Sequence, residues 1–253
     1  MVDLHSHVLP GLDDGAADLD EALEICRAAA ADGIEVLAGT PHVRHDHATT
    51  AAGMEAALAE LQAAAAGIVR VVGGGELDLD ELTRPVEELR RFGLGGNPTY
   101  LLVETPYVGW PLDFADRVAR LAAAGFTPVI AHPERNFDVQ TNPGLLDAPV
   151  AAGALVQLTA ASLDGRGTKR AAACARTLLE RRTAHLVASD AHAPGVRAVG
   201  LSAAAAALED EPLARWLTDG VPRAIVEGTR LPERPEPARV PRRRFRLFGA
   251  SGG

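Results

Sequence analysis

Seven short apolar runs, separated by stretches of helical periodicity, constrain the fold of this chain more than any other feature. They cover residues 2–5, 35–39, 69–73, 100–103, 127–131, 155–158 and 185–188. None shows strict apolar–polar alternation, the pattern expected of strands covered on both faces. Helices are predicted between them, over about 18–33, 50–66, 113–124, 167–182 and 201–208. In the first of these, Leu19, Leu23, Cys26 and Ala30 recur at helical spacing on one face, and Gly33 suits the left-handed position beyond the end. Repeated βα units predict a parallel barrel or an open doubly wound sheet. A length of 253 residues suits one α/β domain.

Composition removes several function classes. The formal net charge of −9 argues against a general nucleic-acid binder, which needs a basic face. No apolar stretch reaches the roughly 18 residues of a membrane span, and no signal segment precedes Val2, so a cytoplasmic protein is expected. Cys26 and Cys174 fall in helical apolar patterns and read as buried structural thiols. Six positions beyond them stand Asp32 and Glu180, not Arg, so the loop of cysteine-nucleophile tyrosine phosphatases is missing. The run Gly73-Gly74-Gly75 leads to Glu76 and does not form a nucleotide-binding fingerprint. Residues 1–231 read as the folded unit. From Pro232 the chain becomes a Pro/Arg-rich tail, 232–253, ending in a basic-aromatic segment over 242–248.

The polar residues at the run ends carry the chemistry. His5 and His7 stand two apart, hence on one face of an extended strand, with Ser6 turned away. His42, Glu76, Glu104 and His132 close the next four runs, and Asp190 and His192 close the seventh, again two apart. Asp14 is available from the loop after the first strand. In a parallel barrel all strand C-termini meet at one mouth, so these side chains converge. So many carboxylates and imidazoles packed together shift one another's pKa values unless cations are held among them. The predicted site is therefore polynuclear, and its imidazole–carboxylate ligands suit Mn, Fe or Zn better than Ca. His45 and His47 read as exposed loop residues.

The segments MVDLHSHVLPGLDDGA, GTPH, GGGE, LLVETP, PVIAHPERN and VASDAH, spread over residues 1 to about 197, resemble the polymerase and histidinol phosphatase (PHP) superfamily. Within it the chain is most similar to the bacterial manganese-dependent protein-tyrosine phosphatases of capsule and exopolysaccharide operons. The resemblance implies a distorted seven-stranded (β/α) TIM-like barrel with three metals, Mn²⁺ first, with Fe, Zn or Mg as alternatives. It implies His5, His7, Glu76 and Asp190 around one ion. Glu76 bridges to a second, completed by Glu104 and His132, and Asp14, His42 and His192 hold a third. Asp14 is preferred to Asp13 by this similarity alone. Arg135 and Arg197 match arginines that engage the substrate phosphate. A departure is Leu77-Asp78, where relatives often carry a basic residue.

The expected reaction is hydrolysis of phosphotyrosine on a protein, a bacterial tyrosine kinase being the partner the resemblance implies. Water activated by the metals attacks phosphorus and the phenolate leaves, its conjugate acid having a pKa of about 10. The rival reading is a small-molecule phosphoesterase of the same superfamily, such as a histidinol phosphatase, because metal ligands do not fix substrate. An amidohydrolase-type enzyme is disfavoured, since no Lys ends a run.

Overall fold

The computed structural model describes residues 1–194 and 197–236; the basic-aromatic end predicted over 242–248 lies outside them. Among the described residues there are ten strands: β1 (Val2–Ser6), β2 (Val36–Gly39), β3 (His42–Arg44), β4 (His47–Ala48), β5 (Arg70–Gly73), β6 (Glu76–Leu77), β7 (Tyr100–Glu104), β8 (Thr127–Ala131), β9 (Leu155–Thr159) and β10 (Leu186–Ala188). The longer helices are α1 (Leu19–Ala31), α2 (Ala51–Ala64), α3 (Phe114–Ala123) and α4 (Lys169–Glu180). The fold is mixed α/β. Parallel ladders join β1-β2-β5 in one sheet. The second sheet runs β10-β9-β8-β7-β6-β3-β4, all parallel except the β3–β4 hairpin.

The strands are buried along nearly their whole length, as continuous apolar runs require. Each fully buried side chain such as Leu4, Leu37 or Val129 contributes about 2 kcal/mol by leaving water. Side-chain caps set the helix starts: Asp18, Thr50 and Thr168 each accept a backbone N–H from the first turn. In α1 the buried residues are Ala22, Ile25, Cys26 and Ala29, while Leu19 and Leu23 lie at the edge of the packed face. The buried stripe is thus rotated from the expected one. Both thiols are buried, which pushes Cys26 up to about 11 and Cys174 up to about 12.

Two predicted strands, 35–39 and 69–73, are present as β2 and β5, and each is followed by a further short strand that the apolar runs did not show. Pro41 offers no N–H to a ladder and separates β2 from β3. Gly74 and Gly75 separate β5 from β6. A Cβ at Gly75 would stand 2.7 Å from the Phe92 ring, so only glycine fits there. His42 and Glu76 consequently open strands rather than close them. They are direct partners in the β3–β6 ladder, which places the two side chains in adjacent rows.

Beyond β10, the chain between Ser202 and Glu227 is largely helical, and Arg234 packs against the body. That guanidinium donates to Ala184 O (2.8 Å) and Leu179 O (3.2 Å) and lies 5.4 Å from the centroid of the Trp216 ring. Nearby, His185 accepts the Val156 N–H through Nδ1 (3.1 Å). Burial and the Arg234 charge lower the His185 pKa to about 4. The unfolded chain binds a proton at about 6.5 that the folded chain refuses until about pH 4, so stability falls as pH drops through that window. His185→Asn retains an acceptor at the Nδ1 position without the titration. Thermal melts at pH 7 and pH 4.5 are expected to show an acid-side loss smaller in the variant by about 2 kcal/mol. Identical losses in the two proteins would rule out this role for His185.

Candidate metal centre

All nine candidate ligands come together. His5 lies inside β1 and His7 just after it. Glu104 ends β7, His132 follows β8, and Asp190 and His192 follow β10. His5 Nε2 stands 3.4 Å from Glu76 Oε2 and 3.3 Å from Asp190 Oδ1; for His7 Nε2 the same separations are 3.5 and 3.2 Å. His132 Nε2 is 3.0 Å from Glu76 Oε1, and His42 Nδ1 is 2.9 Å from Glu76 Oε2 and 3.5 Å from Glu104 Oε2. Asp14 Oδ1 lies 3.5 Å from His42 Nε2 and 3.4 Å from His192 Nε2. Glu76 is the hub of the cluster. All are buried except Asp14, whose half-exposed side chain sits at the rim.

These contacts are close but mostly not hydrogen bonds. His5 Nε2, His7 Nε2, His42 Nδ1, Glu76 Oε2, Asp190 Oδ1 and His192 Nε2 are buried without a hydrogen-bonding partner among the described residues. Leaving one polar atom so costs about 1–3 kcal/mol, and six in one place is not a packing accident. Donor atoms about 2.1 Å from a common ion, at tetrahedral or octahedral angles, stand roughly 3.0–3.4 Å apart. The observed separations cluster around that range. Four groups of at least three ligand atoms fit around a single point: His5, His7 and Asp190; His5, Glu76 and His132; His42, Glu76 and Glu104; and His7, Asp14, His42 and His192. The donor set therefore fits more than one divalent cation.

The charge states suit this use. Burial opposes ionisation throughout, yet the imidazoles of His5, His132 and His42 hold Glu76 well below the usual carboxylate range. Asp190 is likewise held far down, by His5, His7, His132 and Arg135. Both stay anionic at neutral pH. Glu104 is pushed up, first by burial and then by the Glu76 charge. His192 is lowered to about 4 by burial and by His7, which leaves it neutral with a free lone pair.

Around the ligands lies a supporting layer that sequence reasoning missed. Asp13 binds His7 Nδ1 at 2.6 Å and accepts the His42 N–H (2.8 Å) and Gly15 N–H (3.0 Å). It acts behind the imidazole, fixing its orientation, while its neighbour Asp14 faces the cluster. Gly15 is obligatory beneath it, since a Cβ there would meet His7 O at 2.0 Å. Gln157 of β9 takes His5 Nδ1 at 3.0 Å and the His132 N–H at 3.3 Å. It is the one polar residue inside Leu155–Leu158, a signal that was available. Arg44 reaches Glu104 at 3.3 Å from the β3–β4 hairpin. His45 is exposed as expected. His47 is not, because β4 turns its ring back to stack on His42 with centroids 5.7 Å apart.

Two ligand-bearing residues have left-handed backbones, His132 (φ 32°) and Asp190 (φ 52°). Non-glycine residues adopt this region at a cost of about 1–3 kcal/mol, and such strain concentrates at functional sites. Pro133 follows at the first position of the short turn Pro133–Arg135, which aims Arg135 back at the cluster. Arg135 Nη1 and Arg197 Nη1 converge on Asp190 Oδ2, at 2.5 and 2.6 Å. Among the described residues, the other N–H groups of the two guanidiniums make no hydrogen bond.

Parallel strands ending in a buried imidazole–carboxylate cluster, with two arginines at its mouth, define the class: an α/β protein built around a candidate polynuclear metal centre. Comparison with known proteins agrees. The chain belongs to the CpsB/CapC family of capsular polysaccharide synthesis, whose model matches residues 1–214. It is 33% identical over 264 residues to tyrosine-protein phosphatase YwqE of Bacillus subtilis (strain 168), covering 98% of this chain and 99% of that protein. A solved chain from the work on YwqE of Bacillus subtilis and CpsB of Streptococcus pneumoniae, described as unique metal-dependent tyrosine phosphatases, superposes with a TM-score of 0.84. It shares 30% identity, over 95% of this chain and all of that one. A histidinol phosphate phosphatase of Lactococcus lactis shares the fold at a TM-score of 0.51 and 12% identity, over 76% of this chain and 85% of its own.

Proposed function

We propose that this protein is a manganese-dependent protein-tyrosine phosphatase that acts on a bacterial tyrosine kinase controlling capsule or exopolysaccharide synthesis. The observation that carries the reading is the set of unpartnered buried donor atoms around Glu76, spaced as ligands of shared cations. His5, His7, Glu76 and Asp190 would hold one ion, Glu76, Glu104 and His132 a second, and Asp14, His42 and His192 a third. Bound there, divalent cations lower the pKa of water and neutralise phosphoryl oxygens. The near relative named for tyrosine phosphatase activity matches along its whole length. A distorted seven-stranded barrel is also part of the proposal. Its support is the parallel bridge Ser6–Ala191, with Asp190 N–H donating to His5 O (2.8 Å) and His7 N–H to Ala191 O (2.7 Å), which links β1 to the end of β10. Among the described residues no helix is long and apolar enough to cross a membrane. The proposed site of action is the cytoplasm.

The chain's own residues do the positioning. Arg135 and Arg197 present planar forks that match phosphoryl oxygens. Asp190 Oδ2 pairs with both and fixes the orientation of their forks. Asp13 and Gln157 lock the rings of His7 and His5. Neither buried thiol supplies a nucleophile, given pKa values of about 11 and 12. Tyrosine's good leaving group makes the aryl ester the favoured substrate. The Mn²⁺-loaded protein is expected to hydrolyse a phosphotyrosine peptide at least about tenfold faster, in kcat/KM, than histidinol phosphate or the matching phosphoserine peptide. Preference for histidinol phosphate would transfer the protein to small-molecule metabolism.

A further inference from the structure

Four of the five exposed large apolar side chains among the described residues lie on two segments that are hydrogen-bonded to each other. Tyr107, Val108 and Leu112 sit on the loop after β7, and Phe137 sits on the segment after Arg135. Tyr107 is 51% exposed, Val108 77% and Leu112 fully so. Water-facing apolar groups gathered in a patch mark a contact surface, whereas single ones carry no meaning.

This patch is fastened to the candidate metal centre. The Phe137 N–H donates to Tyr107 O (2.9 Å), Asn136 Nδ2 donates to Pro106 O (2.6 Å), and the Gly109 N–H donates to an oxygen of Asp138 (2.8 Å). The loop is therefore tied to the segment that carries Arg135. Its first residues follow Glu104 directly. The Tyr107 ring lies parallel to that of His132, 6° between planes and 6.3 Å between centroids, in an offset arrangement. One aromatic face at the mouth is thus held beside a candidate ligand and beside a phosphate-binding guanidinium, with about half of its surface still open.

We infer that Tyr107 is the specificity-determining residue that receives the phenyl ring of a phosphotyrosine substrate, the exposed apolar side chains beside it covering the flanking residue. The inference rests on the proposed phosphatase reading. A phosphoryl group engaged by Arg135 and Arg197 leaves its ester oxygen pointing out of the buried cluster. The first group beyond that oxygen meets the wall on which Tyr107 stands. An aromatic ring gains there by stacking; the short aliphatic arm of phosphoserine does not reach it. Unlike the ligands and arginines, this wall distinguishes aryl from alkyl esters.

The test uses the full-length Mn²⁺-loaded protein, with Tyr107→Ala and Tyr107→Phe matched to it in metal content and melting temperature. Phenyl phosphate and a phosphotyrosine peptide report ring binding through KM. Competitive inhibition by inorganic phosphate reports the phosphoryl site alone. Tyr107→Ala is expected to raise both KM values roughly three- to tenfold while the phosphate inhibition constant stays within about twofold, and Tyr107→Phe is expected to keep wild-type values. Unchanged KM values in Tyr107→Ala, or equal weakening of phosphate and phenyl phosphate, would overturn the inference and leave the phosphatase reading standing. A wild-type protein that cleaves other phosphate esters but neither aryl substrate would overturn both.

Discussion

Glu76→Gln is expected to reduce phosphotyrosine hydrolysis by at least about 10³-fold, close to the residual left after chelation of the wild-type protein. The substitution keeps volume and shape, so only charge and one oxygen are lost. That oxygen is the centre of the cluster: Glu76 Oε2 faces His5, His7 and His42, and Oε1 faces His132. Glu76 takes part in two of the four groups able to surround an ion. Losing a shared carboxylate therefore weakens more than one ion at once, where losing a terminal ligand such as Asp14 weakens one. Elemental analysis is expected to show at least one ion fewer per chain. Added Mn²⁺ should restore the chelated wild type but not Glu76→Gln. Full metal content with normal turnover in the variant would remove Glu76 from the centre.

The same hub explains what the sequence could and could not tell. The candidate ligands, which the fold brings together, were legible because run ends are easy to find and because two pairs, His5/His7 and Asp190/His192, stand two apart in the sequence. The β-runs and main helices were legible for the same reason, continuous apolarity and helical periodicity being local properties. The geometry at His42 and Glu76 was not. They open short strands of their own, set off from the apolar runs by Pro41 and by Gly74-Gly75, and only pairing across the ladder shows that the two residues are opposite one another. The supporting layer was hidden for a different reason. Asp13 and Asp14 are equivalent in sequence, and only the turn closed by Gly15 decides which side chain goes behind His7 and which faces the cluster. His47 looked like a loop residue because a two-residue strand has no periodicity to read. The short helices after residue 210, which carry Trp216 against the body, likewise give too few turns for an apolar stripe to stand out.

Removing Arg135 is expected to lower kcat/KM for phosphotyrosine peptides by about 10²- to 10³-fold with metal content unchanged, and removing Arg197 by about tenfold to 10². The order follows from burial. Arg135 is 16% exposed in its side chain and Arg197 33%, so the charge of Arg135 acts through less water on the same phosphoryl group. Burial opposes the Arg135 charge, but Asp190 and Glu134 overcome it and hold the guanidinium protonated at every accessible pH. Both arginines converge on one oxygen of Asp190, so they form a unit. The double variant is expected to lose less than the product of the single losses, because the two share one anchor and act on one phosphoryl group, so that removing either already impairs the positioning that both provide. A strictly multiplicative loss would mean that the two contact the phosphoryl group independently. Loss of bound metal in Arg135→Ala would mean that the arginine's main task is to hold Asp190 in place.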